Sequence, residues 1–193
     1  MLEDKFNVIY LVLLILICII RKIYTRKFSD KKIKLGRGNV TEIIILSFIG
    51  LAMVAPLVFI FTSWLNFANY YLPQLIRWIG TIFFISACWF LWRSHADLGK
   101  GFTFLLGIKN KHVLVKEGVY KYIRHPIYTA HLVWALAQLL LIPNWIAGPS
   151  FLLFSIPLYL YRIPKEENMM IKQFGEEYKK YMKKTGRLLP KFR

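Results

Sequence analysis

Five long apolar runs limit what this chain can fold into: residues 6–20, 43–61, 75–92, 128–141 and 145–161. Across all five, Arg77 is the only Lys, Arg, Asp or Glu. The chain is 56% hydrophobic yet carries a formal net charge of +17, so its basic residues are segregated from its apolar ones and do not alternate with them. A very basic soluble protein or a nucleic-acid binder would interleave the two. Segregation on this scale indicates a bilayer as solvent. We therefore expect an all-α integral membrane protein of one domain, 1–193, with five transmembrane helices near 6–23, 43–61, 75–92, 126–141 and 145–161 and a tail over 162–193.

The first run is read as a retained spanning helix and not as a cleaved leader. Glu3 and Asp4 precede it, basic residues follow it, and no small-residue cleavage pattern ends it. Pro56 and Pro157 predict bends in the second and fifth runs. Residues 62–74 carry no charge but several aromatics, including Trp64, Phe67, Tyr70 and Tyr71, as an interfacial belt does. Arg77 reads as a side chain snorkelling to the membrane edge, with a buried ion-pairing role as the alternative. Runs four and five are joined by Ile142-Pro143-Asn144, which predicts an antiparallel helical hairpin. Run four is too short to cross the hydrocarbon unless its helix begins near Pro126.

Charge fixes an expected orientation. Residues 21–39 hold eight Lys/Arg against one Asp, residues 93–127 hold seven against Asp97 and Glu117, and the tail holds ten against four Glu. By the positive-inside rule these three segments are cytoplasmic and the N-terminus lies outside. Everything with chemical potential then gathers on one face. The tail pattern, with Met169, Met170, Phe174, Tyr178 and Tyr181 near one side, predicts an amphipathic helix lying on the membrane or over the loop that starts at Arg93.

On that face, residues 111–131 combine glycine, histidines, tyrosines and a basic cluster. In Arg124-His125-Pro126-Ile127-Tyr128, proline suits the first helical turn, which leaves free N–H groups and a positive dipole facing the cytoplasm. Such an end can hold a carboxylate. An interfacial Arg/His/Tyr anchor explains the same residues, and spacing alone leaves both readings open. Gly118 permits a turn at positive φ. His95, His112, His125 and His131 match no zinc spacing, so no metal is expected. Cys18 and Cys88 lie inside apolar runs and suggest no disulfide. Arg162 and Glu166 are spaced i, i+4 and share a helical face.

These residues give the chain a resemblance. His112-Val113-Leu114-Val115, Gly118-Val119-Tyr120, Arg124 to Tyr128, Arg162 with Glu166-Glu167, Phe174 to Tyr178 and Gly186-Arg187-Leu188-Leu189-Pro190 resemble the isoprenylcysteine carboxyl methyltransferase family, its prokaryotic members and the related phospholipid methyltransferases. The resemblance covers about the last half of the chain. It implies a membrane enzyme using S-adenosyl-L-methionine, with a cofactor pocket formed by the cytoplasmic loop, the start of the fourth helix and the tail. Carried over, His112, Val113, Leu114, Val115, Gly118, Tyr120, His125, Pro126, Tyr128 and Glu166 would bind the cofactor. Arg162 would bind the substrate carboxylate, with Arg162 and Glu166 as the catalytic pair. The implied acceptor is a lipidic small molecule or prenylated cysteine among membrane lipids. A phospholipid N-methyltransferase, a sterol-type reductase using NADPH and a non-enzymatic binder of anionic lipids stay open as alternatives.

Overall fold

The computed structural model describes residues 4–28, 40–99 and 114–191. Within them six α-helices follow one another: α1 (Lys5–Phe28), α2 (Val40–Phe61), α3 (Gln74–Leu98), α4 (Pro126–Leu141), α5 (Ser150–Phe174) and α6 (Glu176–Lys184). Among the described residues there is no sheet, only two isolated bridges, Asn69 with Asn144 and Ile123 with Gly186. Among the described residues three helices are long and apolar enough to cross a membrane: Lys5–Arg26, Ile44–Phe61 and Gln74–Leu98. The protein is a helical membrane protein. α4 has 16 residues, about 24 Å at 1.5 Å per residue, which is short of a hydrocarbon core of about 30 Å.

α1, α3 and α4 pack as one bundle, and α2 packs along α5. α4 is the centre of the bundle: Trp134, Ala135, Ala137 and Leu141 are fully buried. Trp134 stacks near Phe84 of α3 and lies 4.4 Å from the Phe151 ring of α5. Close α3–α4 packing depends on Gly80, where an added Cβ would fall 2.9 Å from the Leu140 Cβ and 3.1 Å from its backbone carbon. Small residues at such crossings let helices approach closely within a bilayer.

The structure corrects several sequence expectations. Arg77 does not snorkel: it is 8% exposed and pairs with Asp4 at 2.7 Å. Its Nε donates to the Leu141 carbonyl and its guanidinium lies over the Phe6 ring, so one side chain joins α1, α3 and α4. α3 runs on to Leu98 and takes Arg93 and Asp97 out of the polar loop. α5 begins at Ser150, not at 145, because buried Asn144 accepts the N–H groups of Ile146 and Ala147 and holds 145–149 in turns. It then continues through Pro157 and Pro164 to Phe174 and does not end at 161.

The tail is not one amphipathic helix. Gly175, at φ +54°, breaks it between α5 and α6. Met170, Phe174, Tyr178 and Tyr181 still form one apolar cluster, closed by Leu114. The tail therefore covers the segment before α4.

Gly80→Leu is expected to lower stability by about 1–3 kcal/mol through overpacking. Gly50→Leu, on the outer face of α2 with nothing within 4 Å of its Cβ position, should be neutral or mildly stabilising. Thermal unfolding of the two variants in one detergent checks the contrast.

Candidate functional site at the start of α4

The walls of the site begin at Gly118. Its φ of +58° is open to glycine, and a Cβ there would collide with the Asp97 carboxylate. Asp97 occupies that space because it accepts the Val119 N–H at 2.8 Å and pairs with Arg93 at 2.9 Å. The chain then makes a 3-10 turn, Gly118–Lys121, that buries Tyr120. The Tyr120 carbonyl accepts the Tyr181 hydroxyl of α6 at 2.6 Å.

Residues 122–125 run beside 186–188 of the tail. The Gly186 N–H donates to the Tyr122 carbonyl, Arg124 N–H to the Gly186 carbonyl, and His125 N–H to the Arg187 carbonyl, all at 2.9–3.1 Å. Thr129 Oγ1 of α4 donates to the Leu188 carbonyl at 2.7 Å. Gly186 has no room for a side chain, since a Cβ would strike the Leu189 carbonyl. A tail strap is thus stitched to the entrance of α4. The N-terminus of that helix carries Pro126 in its first turn and no side-chain cap, so its leading N–H groups are open to an outside acceptor.

α5 brings the charge. Glu166 accepts the Tyr128 hydroxyl at 2.5 Å, lies 3.3 Å from Arg162 Nε, and its second oxygen is 3.5 Å from His125 Nδ1. Glu167 takes the other side of the imidazole, 3.4 Å from His125 Nε2. It also pairs with Arg124 Nε at 2.9 Å and with Arg187 Nη2 at 2.5 Å. Arg124 Nη1 in turn donates to the carbonyls of Met182 and Thr185. Successive helical residues point about 100° apart, so the two carboxylates bracket His125 from different sides.

Burial raises the Glu167 carboxyl, but hydrogen bonds from His125, Arg187 and Arg124 outweigh it and hold the group down at about 2. Glu166 is likewise lowered: burial opposes the charge, while His125, Arg162 and Tyr128 favour it. His125 is raised despite burial, because both carboxylates stabilise its protonated form.

Of the residues singled out from sequence, His125, Tyr128, Arg162 and Glu166 meet directly, with Pro126 opening the helix beneath them. Gly118 and Tyr120 shape the adjoining wall. Leu114 sits under α6 with Tyr178 and Tyr181, and Val115 follows it half-buried. His112 and Val113 lie outside the described residues. Sequence reasoning missed Glu167, Arg124 and Arg187 as members of the site. The available signal was the Glu-Glu pair itself, since adjacent helical carboxylates point about 100° apart and call for separate partners. Among the described residues no group of three His, Cys, Asp or Glu is arranged to hold a metal ion.

A sequence profile of the isoprenylcysteine carboxyl methyltransferase (ICMT) family matches residues 78–172, a span that includes Arg124 to Tyr128, Arg162, Glu166 and Glu167. The chain belongs to that family. It is 37% identical over 128 residues to a protein-S-isoprenylcysteine O-methyltransferase of Schizosaccharomyces pombe, covering 60% of this chain and 53% of that one. The Homo sapiens protein-S-isoprenylcysteine O-methyltransferase is 31% identical, covering 67% and 49%. A probable protein-S-isoprenylcysteine O-methyltransferase of Oryza sativa subsp. indica is 29% identical, covering 80% and 83%. The chain therefore spans about half the length of the yeast and human relatives and most of the rice one. The solved structure of the eukaryotic intramembrane Ras methyltransferase ICMT shares the fold, with a TM-score of 0.57 at 22% identity over 89% of this chain and 60% of that one.

The charged cluster makes stability depend on pH at both ends. Glu167 is lowered, so its contribution is present above the ordinary carboxyl range near 4.5 and fades as pH falls toward about 2. His125 is raised, so its contribution is full below about 6.5 and is lost as pH rises through the higher folded value. Glu167→Gln should cost about 3 kcal/mol at neutral pH, because it leaves buried Arg124 without its carboxylate. It should also flatten the acid limb. Unfolding midpoints measured against pH for both proteins check this.

Proposed function

We propose that the protein is an S-adenosyl-L-methionine-dependent methyltransferase that works at the membrane on a lipidic acceptor. Its reaction is carboxyl methylation of an isoprenylcysteine-like carboxylate. The observation that carries this reading is the meeting of His125, Tyr128, Glu166 and Arg162 at the uncapped N-terminus of α4, in a chain of the ICMT family.

The residues fit the cofactor's amino-acid end. The leading N–H groups of α4 suit its carboxylate, His125 stands beside them between Glu166 and Glu167, and the carboxylate of Glu166 suits a cationic group. His112, Val113, Leu114, Val115, Gly118, Tyr120, Pro126 and Tyr128 complete the proposed pocket. When bound, the cofactor supplies an electrophilic methyl group on a sulfonium. The acceptor carboxylate is already ionised at neutral pH, so the protein needs no strong general base. Arg162 orients that carboxylate while Glu166 holds the guanidinium in place through the i, i+4 pair. The remaining work is alignment and exclusion of water, supplied by the apolar helices that receive the lipid tail.

In this reading α4 and α5 complete a five-span protein, the last two spans forming a hairpin. The N-terminus is outside and the tail and site are cytoplasmic, as the basic segments require. α4 is tolerated in spite of its length because it is enclosed by other helices and not by lipid.

Detergent-purified protein is expected to bind S-adenosylhomocysteine and not NADPH. Arg162→Ala should lower turnover of a farnesylcysteine carboxylate by about two to three orders of magnitude with S-adenosylhomocysteine affinity kept. His125→Ala should weaken that affinity about tenfold. Normal turnover in Arg162→Ala would remove the assigned substrate role.

A further inference from the structure

A second site lies on the outer side of the tail. Lys116, Lys121, Glu177, Lys180, Tyr181, Lys184 and Thr185 line a groove of about 330 Å³ between the 3-10 turn and α6. Four ammonium groups face one carboxylate there. Lys116 uses that carboxylate, pairing with Glu177 at 2.5 Å. Lys180 and Lys184, one helical turn apart, make no ion pair among the described residues, and the Lys121 ammonium lies only over the Tyr122 ring. The apolar side of α6 is already used against Leu114, Met170 and Phe174. Its lysine side is therefore presented outward by the packing, and its uncompensated charge calls for an anionic occupant.

We propose that this groove holds the phosphate of an anionic phospholipid from the membrane that the protein spans. Position favours a lipid over a soluble anion. Lys121 stands five residues before α4 begins at Pro126, and Thr185 adjoins the Gly186 that pairs with Ile123 at that boundary. Tyr122 and Leu189 are exposed on the same segments, at 58% and 70%, as expected of groups resting at a headgroup boundary. The cytoplasmic leaflet is anionic and concentrates its headgroups against basic juxtamembrane segments.

The groove also shares walls with the candidate active site. Tyr181 donates to the Tyr120 carbonyl, and the Thr185 carbonyl receives Arg124. A headgroup drawing Lys121, Lys180 and Lys184 together presses α6 and the strap onto residues 118–125. Lipid binding then supports the shape of the pocket without touching the reacting atoms.

The test compares nanodiscs of phosphatidylcholine with nanodiscs containing phosphatidylglycerol, reading retained phosphatidylglycerol by native mass spectrometry. Lys180→Gln/Lys184→Gln should weaken retention about fivefold for each lysine neutralised. Lys179→Gln/Lys183→Gln removes the same charge from α6 outside the groove and should change little. Equal losses in the two pairs would reduce the effect to general surface charge and overturn the site. Displacement of the lipid by inorganic phosphate or by an acidic peptide at comparable concentration would overturn its assignment to a lipid. The readout is lipid retention and not turnover, so its failure is distinct from failure of the methyltransferase reading.

Discussion

A buried carboxylate is among the most expensive groups a fold can hold, and Glu167, 3% exposed, is stable only because three cationic side chains surround it. Those side chains come from two places far apart in sequence: Arg124 and His125 before α4, and Arg187 in the tail strap. Each cation is in turn placed by backbone hydrogen bonds between 122–125 and 186–188. The carboxylate and the strap depend on each other. Without Glu167 three positive groups would crowd one interior point, and without the strap the carboxylate would lack Arg187 and the carbonyls that steady Arg124.

The opposite end of the bundle solves a similar problem with neutral and charged ties. Arg77 links Asp4, Leu141 and the Phe6 ring, and Asn144 links Leu65, Asn69 and the first turns toward α5. Between these two polar ends the helices are held by apolar packing around Trp134, Phe84 and Phe151, together with the buried Tyr10–Gln138–Ser150 chain of hydrogen bonds. Lipid tails are as apolar as leucine, so packing alone specifies position weakly in a bilayer. The polar ties are what fix the height of α4 against its neighbours. That height decides where the uncapped helix end and His125 stand relative to Glu166.

Helix existence and order were legible because long apolar runs almost free of charge have few other fates in water or lipid. The start of α4 at Pro126 was legible for a local reason, the fit of proline to the first turn. Helix ends were less so. α3 carries Arg93 and Asp97 past its apolar run because they pair at i, i+4 and because Asp97 caps the turn at Val119, a partner more than twenty residues away. α5 crosses from apolar to charged sequence without interruption, since Arg162 pairs with Glu166 within the helix and the two glutamates meet Tyr128, His125, Arg124 and Arg187 from other segments. Four of the tail's five expected apolar residues, Met170, Phe174, Tyr178 and Tyr181, do cluster, without Met169, and the break at Gly175 was not foreseen.

Sequence by itself determined that the chain is a helical membrane protein, because long runs almost free of charge have few other fates, and it singled out His125, Tyr128, Arg162 and Glu166, which the fold brings together. Only the tertiary structure decided which of two adjacent glutamates meets which cation, that Arg77 is buried in an ion pair, and that the tail folds back as a strap. Those outcomes turn on which buried charge finds a partner across the fold, and a buried charge carries no mark of its partner in the residues beside it.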